Sequence, residues 1–517
     1  MPEQKREREQ RRGWQKPGWI DLVCGLLLTA AGGALLTLFS STTSPLFPGY
    51  YGTDSATFQL GGRIWANGGV MYRDFFDHKG PFIFFVDMLG EKLWPGRTGI
   101  FALQIVFLGV SLYFLYRTAR LALGVPAAFA AALLSGFYVF TWEGDGCNVC
   151  EDYCLPFLAA AFYLLLRWLQ TCPSGSEKGK KAVPHPPAAA FVYGLAFGIG
   201  MMTRMTNGFS ICAAVACVVV YLIAGRQWAN LGWNALAFTG GTALACVPFL
   251  LYFAAKGALG DMLFATFTFN FEYLLYGGTT TETVPETAWV LRALLKSLPV
   301  WLTAAAGVWL LARRRAVYGV TLLVTALATM ALVLKMNVAY QHYQIVNLPF
   351  LAVGTAAMAD ALRGMQKKTL QRAGAACTLA ALAVCAAIAG NTFRSQWAWK
   401  DGPGRDWLTG LNSEEGALLQ SVPAEDRDSV AGFNIQTSSY LAAGVMPCYK
   451  YTVLLNWQMK ISPRLRAEVT AQYASCRAKW VLTSSMKKDA VQAILDEHYE
   501  VVQKVDTYTL YRLKEGA

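Results

Sequence analysis

Hydrophobic residues in this chain are gathered into blocks of about 18–22 positions with few or no charges, the length an α-helix needs to cross a bilayer core. The first block runs from about Trp19 to Phe39. Others lie at about 98–116, 124–140, 153–169, 188–203, 208–224, 231–254, 290–311, 316–334, 344–362 and 372–390. The pattern predicts about eleven transmembrane helices, the pair on either side of Arg204 being short. The first block follows a polar, basic tail and lacks a small-residue cleavage site, so it reads as a retained span and not a signal peptide. Beyond about 391 charged residues return. There WVLTSS (480–485) and TYTLYRL (507–513) read as strands, and SPRLRAEVTAQYASC and KKDAVQAILDEHY as helices. The expected organisation is a cytoplasmic tail (1–17), a transmembrane module (18–391) with a long first outer loop (41–97), and a small extracytoplasmic α/β domain (392–517). Apolar stretches in the first outer loop suit amphipathic helices lying on the membrane.

Basic residues set the orientation. With the amino terminus inside, the inner loops hold Arg117 and Arg120, the run Glu177 to Lys181, Arg226, Arg313 to Arg315, and Arg363 through Lys367, Lys368 and Arg372. This predicts a multi-pass protein of the cell membrane with its carboxy-terminal domain outside. Composition agrees: 55% of the 517 residues are hydrophobic and 15% charged, against about 25% charged in soluble domains. The net charge of +12 follows the same loop asymmetry, so its partner is the anionic bilayer surface and not nucleic acid. Most of the 12 Cys fall within spans as small hydrophobes. Cys448 and Cys476 are a candidate pair on weak grounds of spacing. Cys147, Cys150 and Cys154 lack a complementary ligand pair, so zinc is not expected. There is no P-loop, dinucleotide fingerprint or internal repeat.

The first outer loop carries the chemistry. Asp54 stands just past the first span and before a predicted helix, where it suits an N-cap. Tyr72, Arg73, Asp74, Asp77, His78 and Lys79 then precede a Gly80-Pro81 turn and PFIFF. Charges of both signs beside aromatics at a lipid boundary suit a pocket for a polar anion. The second outer loop adds Glu143, Asp145, Glu151 and Asp152, the last two also serving as favourable first-turn acids. Arg204 falls at the outer end of a span pair, against the positive-inside bias, where snorkelling or an anionic partner can hold it. Lys335 and His342 fall near the same face. Several cationic or ionisable groups on one side favour an anion site. His185 and His498 have no comparable context.

The order of these features resembles the GT-C membrane glycosyltransferases, in particular family 39 and the aminoarabinose-transferase branch related to protein O-mannosyltransferases. The resemblance implies a monosaccharide moved from a polyprenyl-phosphate donor to an acceptor hydroxyl at the outer face, in a single displacement that inverts the anomeric configuration. It implies Asp54 as base, and Asp77 and Lys79 of DHKGP as the turn that meets donor phosphate. Glu151 of NVCEDYCLPF resembles a second catalytic outer-loop acid, Arg204 of GIGMMTRMTNG a phosphate ligand, and His342-Tyr343 an HY pair before a late span, with His342 expected to join Lys79 and Arg204 on the donor phosphate. Tyr72, Arg73, Asp74, His78 and Tyr343 complete the expected substrate pocket. SSYLAAGVMPCYKY resembles the family's carboxy-terminal domain. A paired acid is often found where Ser55 follows Asp54 here, which weighs against a metal held by two carboxylates. No cofactor is expected, a divalent metal ion being the alternative. The acceptor class stays open among glycan, lipid and protein. Two other readings compete: a lipid or glycan transporter or flippase, which predicts charges within spans and Gly/Pro-broken helices in two matching halves, and a receptor using the outer domain, which leaves the first-loop cluster unexplained.

Overall fold

A computed structural model of the chain describes residues 17–47, 49–50, 53–142, 147–172, 182–276, 305–311, 316–335, 341–363, 414–453, 455–484 and 489–516, with isolated positions between 295 and 302 and between 368 and 397. Glu143, Asp145, the 177–181 and 313–315 basic runs, most of the 290–311 block and nearly all of the 372–390 block lie outside the described residues, as does the Lys335 side chain.

The membrane body begins with α1 (Trp19–Phe39), α2 (Thr53–Ala66), α3 (Pro81–Leu93) and α4 (Arg97–Arg120). It continues with α5 (Val125–Trp142), α6 (Cys150–Leu169), α7 (Pro187–Thr203), α8 (Met205–Phe209), α9 (Cys212–Ala224) and α10 (Trp228–Ala255). Then come α11 (Leu259–Leu263), a π-turn (Phe264–Thr268), α12 (Phe269–Tyr276), α13 (Ala316–Lys335), a 3-10 turn (Gln341–Asn347) and α14 (Leu348–Arg363). Among the described residues, five helices are long and apolar enough to cross a membrane: α1, α4, α6, α8 and α9 taken together, and α10. Val125–Phe137, Pro187–Thr203 and Val317–Leu332 are shorter apolar helices.

Local sequence places the ends of these helices. The Asp152 carboxylate accepts the N–H groups of Asn148 at 3.0 Å and Val149 at 3.2 Å, starting α6. Pro81 opens α3, where its missing N–H is not needed. Helices α7 and α10 approach closely because Gly241 presents no side chain: a Cβ there would fall 2.0 Å from the Phe191 carbonyl oxygen. The first outer loop differs from its expected surface form. Helix α2 is buried continuously from Ser55 to Gly62 and packs against α3 inside the protein.

The carboxy-terminal part comprises α15 (Glu414–Ser421), β1 (Val430–Phe433), α16 (Thr437–Ala443), α17 (Asn456–Ile461) and α18 (Pro463–Ala474), followed by β2 (Trp480–Ser484), α19 (Asp489–His498), β3 (Tyr499–Val505) and β4 (Tyr508–Leu513). The strands form one sheet in the order β1-β2-β4-β3, with β1 and β2 parallel and the other pairs antiparallel. Cys448 and Cys476 are free thiols in this sheet domain. The domain sits on the first outer loop. Thr437 Oγ1 lies 3.0 Å from Thr57 Oγ1 of α2, and the Phe76 N–H donates to the Lys450 carbonyl at 2.9 Å. Lys450 Nζ reaches Asp261 Oδ1 of α11 at 2.9 Å.

Candidate active site

The site is assembled where the chain reverses at Gly80-Pro81. The Gly80 N–H donates to the Thr203 carbonyl at 2.7 Å, which docks the turn on the last residue of α7. Position 80 requires glycine, because a Cβ would stand 2.3 Å from the Met202 carbonyl oxygen. This contact brings Lys79 and Arg204, distant in sequence, into one neighbourhood, where both charges act on His78, Cys150 and Tyr343. Arg204 is the extended residue (φ −138°, ψ 123°) between α7 and α8, so its side chain is directed by a break in the helix and not by a helical face.

Each charged group has a defined setting. Lys79 Nζ lies 3.0 Å from His78 Nε2. The Lys79 N–H donates to Asp77 Oδ1 at 2.8 Å, and its carbonyl accepts the Tyr72 hydroxyl at 2.8 Å. Tyr72 adopts φ 67°, an unusual backbone for a bulky residue, and is fully buried. Burial raises the Asp77 carboxyl to about 6 against the opposing pull of the Lys79 charge. Burial also disfavours charge on Lys79, yet the carboxylates of Asp54 and Asp77 outweigh it and hold the ammonium above the usual lysine range. Burial and the nearby Lys79 and Arg204 charges push His78 well below the ordinary imidazole range. A neutral His78 then accepts from Lys79.

Arg204 is held from three sides. A guanidinium nitrogen lies 3.0 Å from Glu151 Oε1, an ion pair whose side chains are 11% and 1% exposed. The guanidinium also donates to Thr206 Oγ1 at 2.9 Å and Asn207 Oδ1 at 3.1 Å. Its carbon lies 3.6 Å from the centre of the Tyr343 ring, a close cation–π contact. Glu151 occupies the first turn of α6, where the helix dipole favours an acid. Its Oε1 has charge proximity without hydrogen-bond alignment.

Asp54 stands in the first turn of α2, half-buried. Its charge acts on Asp77, Lys79, Cys150 and Tyr343, which places these groups in one electrostatic neighbourhood. The structure thus brings together Asp54, Tyr72, Asp77, His78, Lys79, Glu151, Arg204 and Tyr343. The buried His342 adjoins them through its ring, which meets Tyr343 edge-on at 4.7 Å. Arg73 and Asp74 are not part of the cluster. They form an ion pair at 2.9 Å with side chains 48% and 37% exposed, and Asp74 caps the Val70 N–H. Among the described residues no three His, Cys, Asp or Glu side chains converge as a metal-ligand set.

Other contributors carried weaker sequence signals. Asn148 precedes α6 in an ordinary turn-forming position, and Asp87 is an acid within the apolar run PFIFFVDML of α3. Asn270 donates to the His78 carbonyl at 2.7 Å from the far side of the loop. Trp457 of the carboxy-terminal domain meets the His78 ring at 5.6 Å. Nothing in the local sequence of either links it to His78.

Residues 78–253 match the family model described as dolichyl-phosphate-mannose-protein mannosyltransferase, a stretch that includes Lys79, Glu151 and Arg204. No curated protein sequence matches the chain significantly. Among solved structures, the chain is similar to ArnT from Cupriavidus metallidurans bound to undecaprenyl phosphate, at 13% identity and a TM-score of 0.54, covering 95% of this chain and 98% of that one. It is also similar to the oligosaccharyltransferase AglB from Archaeoglobus fulgidus in complex with an inhibitory peptide and a dolichol-phosphate, at 12% identity and a TM-score of 0.51, covering 96% and 74%. The apo form of the Cupriavidus ArnT gives a TM-score of 0.53 at 14% identity, covering 94% and 97%. The chain thus shares the fold of these solved structures.

Proposed function

We propose that this protein is a membrane glycosyltransferase that moves a monosaccharide from a polyprenyl-phosphate donor to an acceptor hydroxyl at the outer face of the cell membrane. The single observation that carries this reading is the Gly80–Thr203 contact, which gathers the Lys79, Arg204 and Asp54 charges around Tyr343 and Cys150. Two cations held by carboxylates suit a leaving phosphate, and a half-buried acid beside them suits the attacking hydroxyl. The solved structures of similar fold that hold undecaprenyl phosphate or a dolichol-phosphate support the choice of lipid.

In this mechanism the acceptor oxygen attacks the anomeric carbon from the face opposite the phosphate, and the configuration inverts in a single displacement. The bond to the phosphate oxygen breaks as the new glycosidic bond forms. Asp54 accepts the hydroxyl proton, a contribution of about 10²–10⁴ in rate. Lys79 and Arg204 stabilise the departing phosphate, each such preorganised contact being worth about 3 kcal/mol in a water-poor site. Glu151 serves the transfer through Arg204, whose guanidinium it pins against Tyr343. His342 supports the ring of Tyr343, and His78 holds the Lys79 ammonium in place. Cationic side chains then neutralise the phosphate without a metal. The amino terminus lies in the cytoplasm and the sheet domain outside, where it faces a glycan, lipid or protein acceptor.

The test uses purified protein in detergent with polyprenyl-phosphate sugars and a panel of hydroxyl acceptors. Acceptor-dependent release of polyprenyl phosphate is the expected result. No release with any lipid donor, alongside intact binding of polyprenyl phosphate, overturns the enzyme reading and leaves a carrier.

A further inference from the structure

The second outer loop enters α6 through a backbone that its residue types do not favour. Cys147 (φ 79°) and Asn148 (φ 62°) are consecutive left-handed residues, and both are fully buried. Asparagine tolerates this region, whereas cysteine does not, so the conformation persists only where the surroundings over-determine it. They do. The Cys147 carbonyl accepts the Thr42 hydroxyl at 3.1 Å. The Asn148 N–H is taken by Asp152 at 3.0 Å. The Asn148 carboxamide is then used fully: Nδ2 donates to Ser55 Oγ at 3.0 Å and to Asp87 Oδ2 at 3.1 Å, while Oδ1 accepts the Tyr153 hydroxyl. Gln59 donates to the same Ser55 oxygen at 2.9 Å.

These bonds join three elements that carry the proposed chemistry. Ser55 adjoins Asp54 at the start of α2, Asn148 lies three residues before Glu151, and Asp87 lies on α3 beyond the Lys79-Gly80 turn. We propose that Asn148 is a positioning residue for the transfer, locking the Asp54-bearing end of α2 to the Glu151-bearing end of α6 through Ser55 and Asp87. Asp87 takes part as a neutral acid: it is 0% exposed, its Oδ1 has no partner among the described residues, and burial raises its carboxyl to about 8. It accepts on Oδ2 and keeps a proton on Oδ1, so no unpaired charge is buried.

The inference rests on the glycosyltransferase reading for its kinetic arm and is independent of it in its structural arm. Asn148→Ala lowers kcat by about 10²-fold, the usual consequence of misplacing a catalytic group by about 1 Å, while donor KM changes by less than about threefold. Because Asn148 acts through Asp54, adding Asn148→Ala to Asp54→Asn costs no further turnover. Asp87→Asn, which keeps shape and neutrality, stays within about threefold of wild type, whereas Asp87→Ala does not. Ser55→Ala repeats the kcat-selective loss and serves where Asn148→Ala folds poorly. Additive losses in the double variant, or a loss confined to KM, overturn the proposal. Hydrogen exchange on the intact protein reads the same coupling without turnover: Asn148→Ala speeds exchange in both 53–58 and 149–153. Exchange altered in only one of the two segments also overturns it, whether or not the protein proves to be a transferase.

Discussion

Gly80→Ala is the sharpest probe of the proposed phosphate site. Gly80 has an extended backbone (φ −70°, ψ 163°) that alanine adopts freely, so the substitution carries no conformational penalty of its own. The obstacle is contact: the new Cβ would lie 2.3 Å from the Met202 carbonyl oxygen and 2.4 Å from its carbon. Non-bonded carbon contacts settle at about 3.5 Å, so the turn must retreat from α7 by about 1 Å. Both obstructing atoms are helix backbone and cannot rotate away. Retreat strains the 2.7 Å bond from Gly80 to Thr203, worth about 1 kcal/mol, and overpacking adds about 1–3 kcal/mol. The functional effect is larger than the loss of stability suggests, because the same movement draws Lys79 away from Arg204. We expect turnover to fall by about 10²-fold and polyprenyl-phosphate affinity to fall by about tenfold. Initial rates of polyprenyl-phosphate release and equilibrium binding of the lipid measure both. Gly260→Ala is the control, since its Cβ meets nothing within 4 Å. A Gly80→Ala protein with turnover and affinity within twofold of wild type would refute the claim that this contact builds the site.

Three further outcomes follow from the same geometry. Asp54→Asn should lower turnover by about 10²–10⁴-fold with donor affinity unchanged; a parallel loss of affinity would place Asp54 on the phosphate. Arg204→Ala should weaken polyprenyl-phosphate binding at least tenfold and, by stranding the 1%-exposed Glu151, cost about 3–5 kcal/mol in unfolding measurements; Glu151→Gln added to it should recover part of that stability, and a wild-type dissociation constant for Arg204→Ala removes the residue from the phosphate site. Asp77 has a folded-state value raised to about 6 from an ordinary 3.8, so the folded state binds the extra proton in that window and the Asp77 contribution to stability declines as pH rises through it. Asp77→Asn should therefore gain stability relative to wild type between about pH 4 and pH 6, and denaturation midpoints that run parallel across that range would contradict the assignment.

Much of the helical architecture was legible along the chain, for a physical reason. Lipid admits only segments that satisfy their own backbone hydrogen bonds, so spans advertise themselves as long apolar blocks, and α1, α4, α6 and α10 lie where those blocks do. The acids and bases of the outer loops were legible as types: Asp54, Lys79, Glu151 and Arg204 stand out because charge at a lipid boundary is costly without a purpose. Their partnership was not. The Arg204–Glu151 pair, the stack on Tyr343 and the seat of Gly80 against Met202 all link residues far apart in sequence. Arg73 and Asp74, equally promising as letters, turn outward to pair with each other.

Composition and order alone decided that this protein is a bundle of apolar helices with charged groups near their ends, because hydrophobic transfer is a local, additive property of each segment. Which of those groups meet, and which neutral residues such as Asn148 hold them together, was decided only when α2, α3, α6 and α7 packed. Burial and hydrogen bonding are properties of pairs brought close in space, and a linear string of residues does not contain those distances.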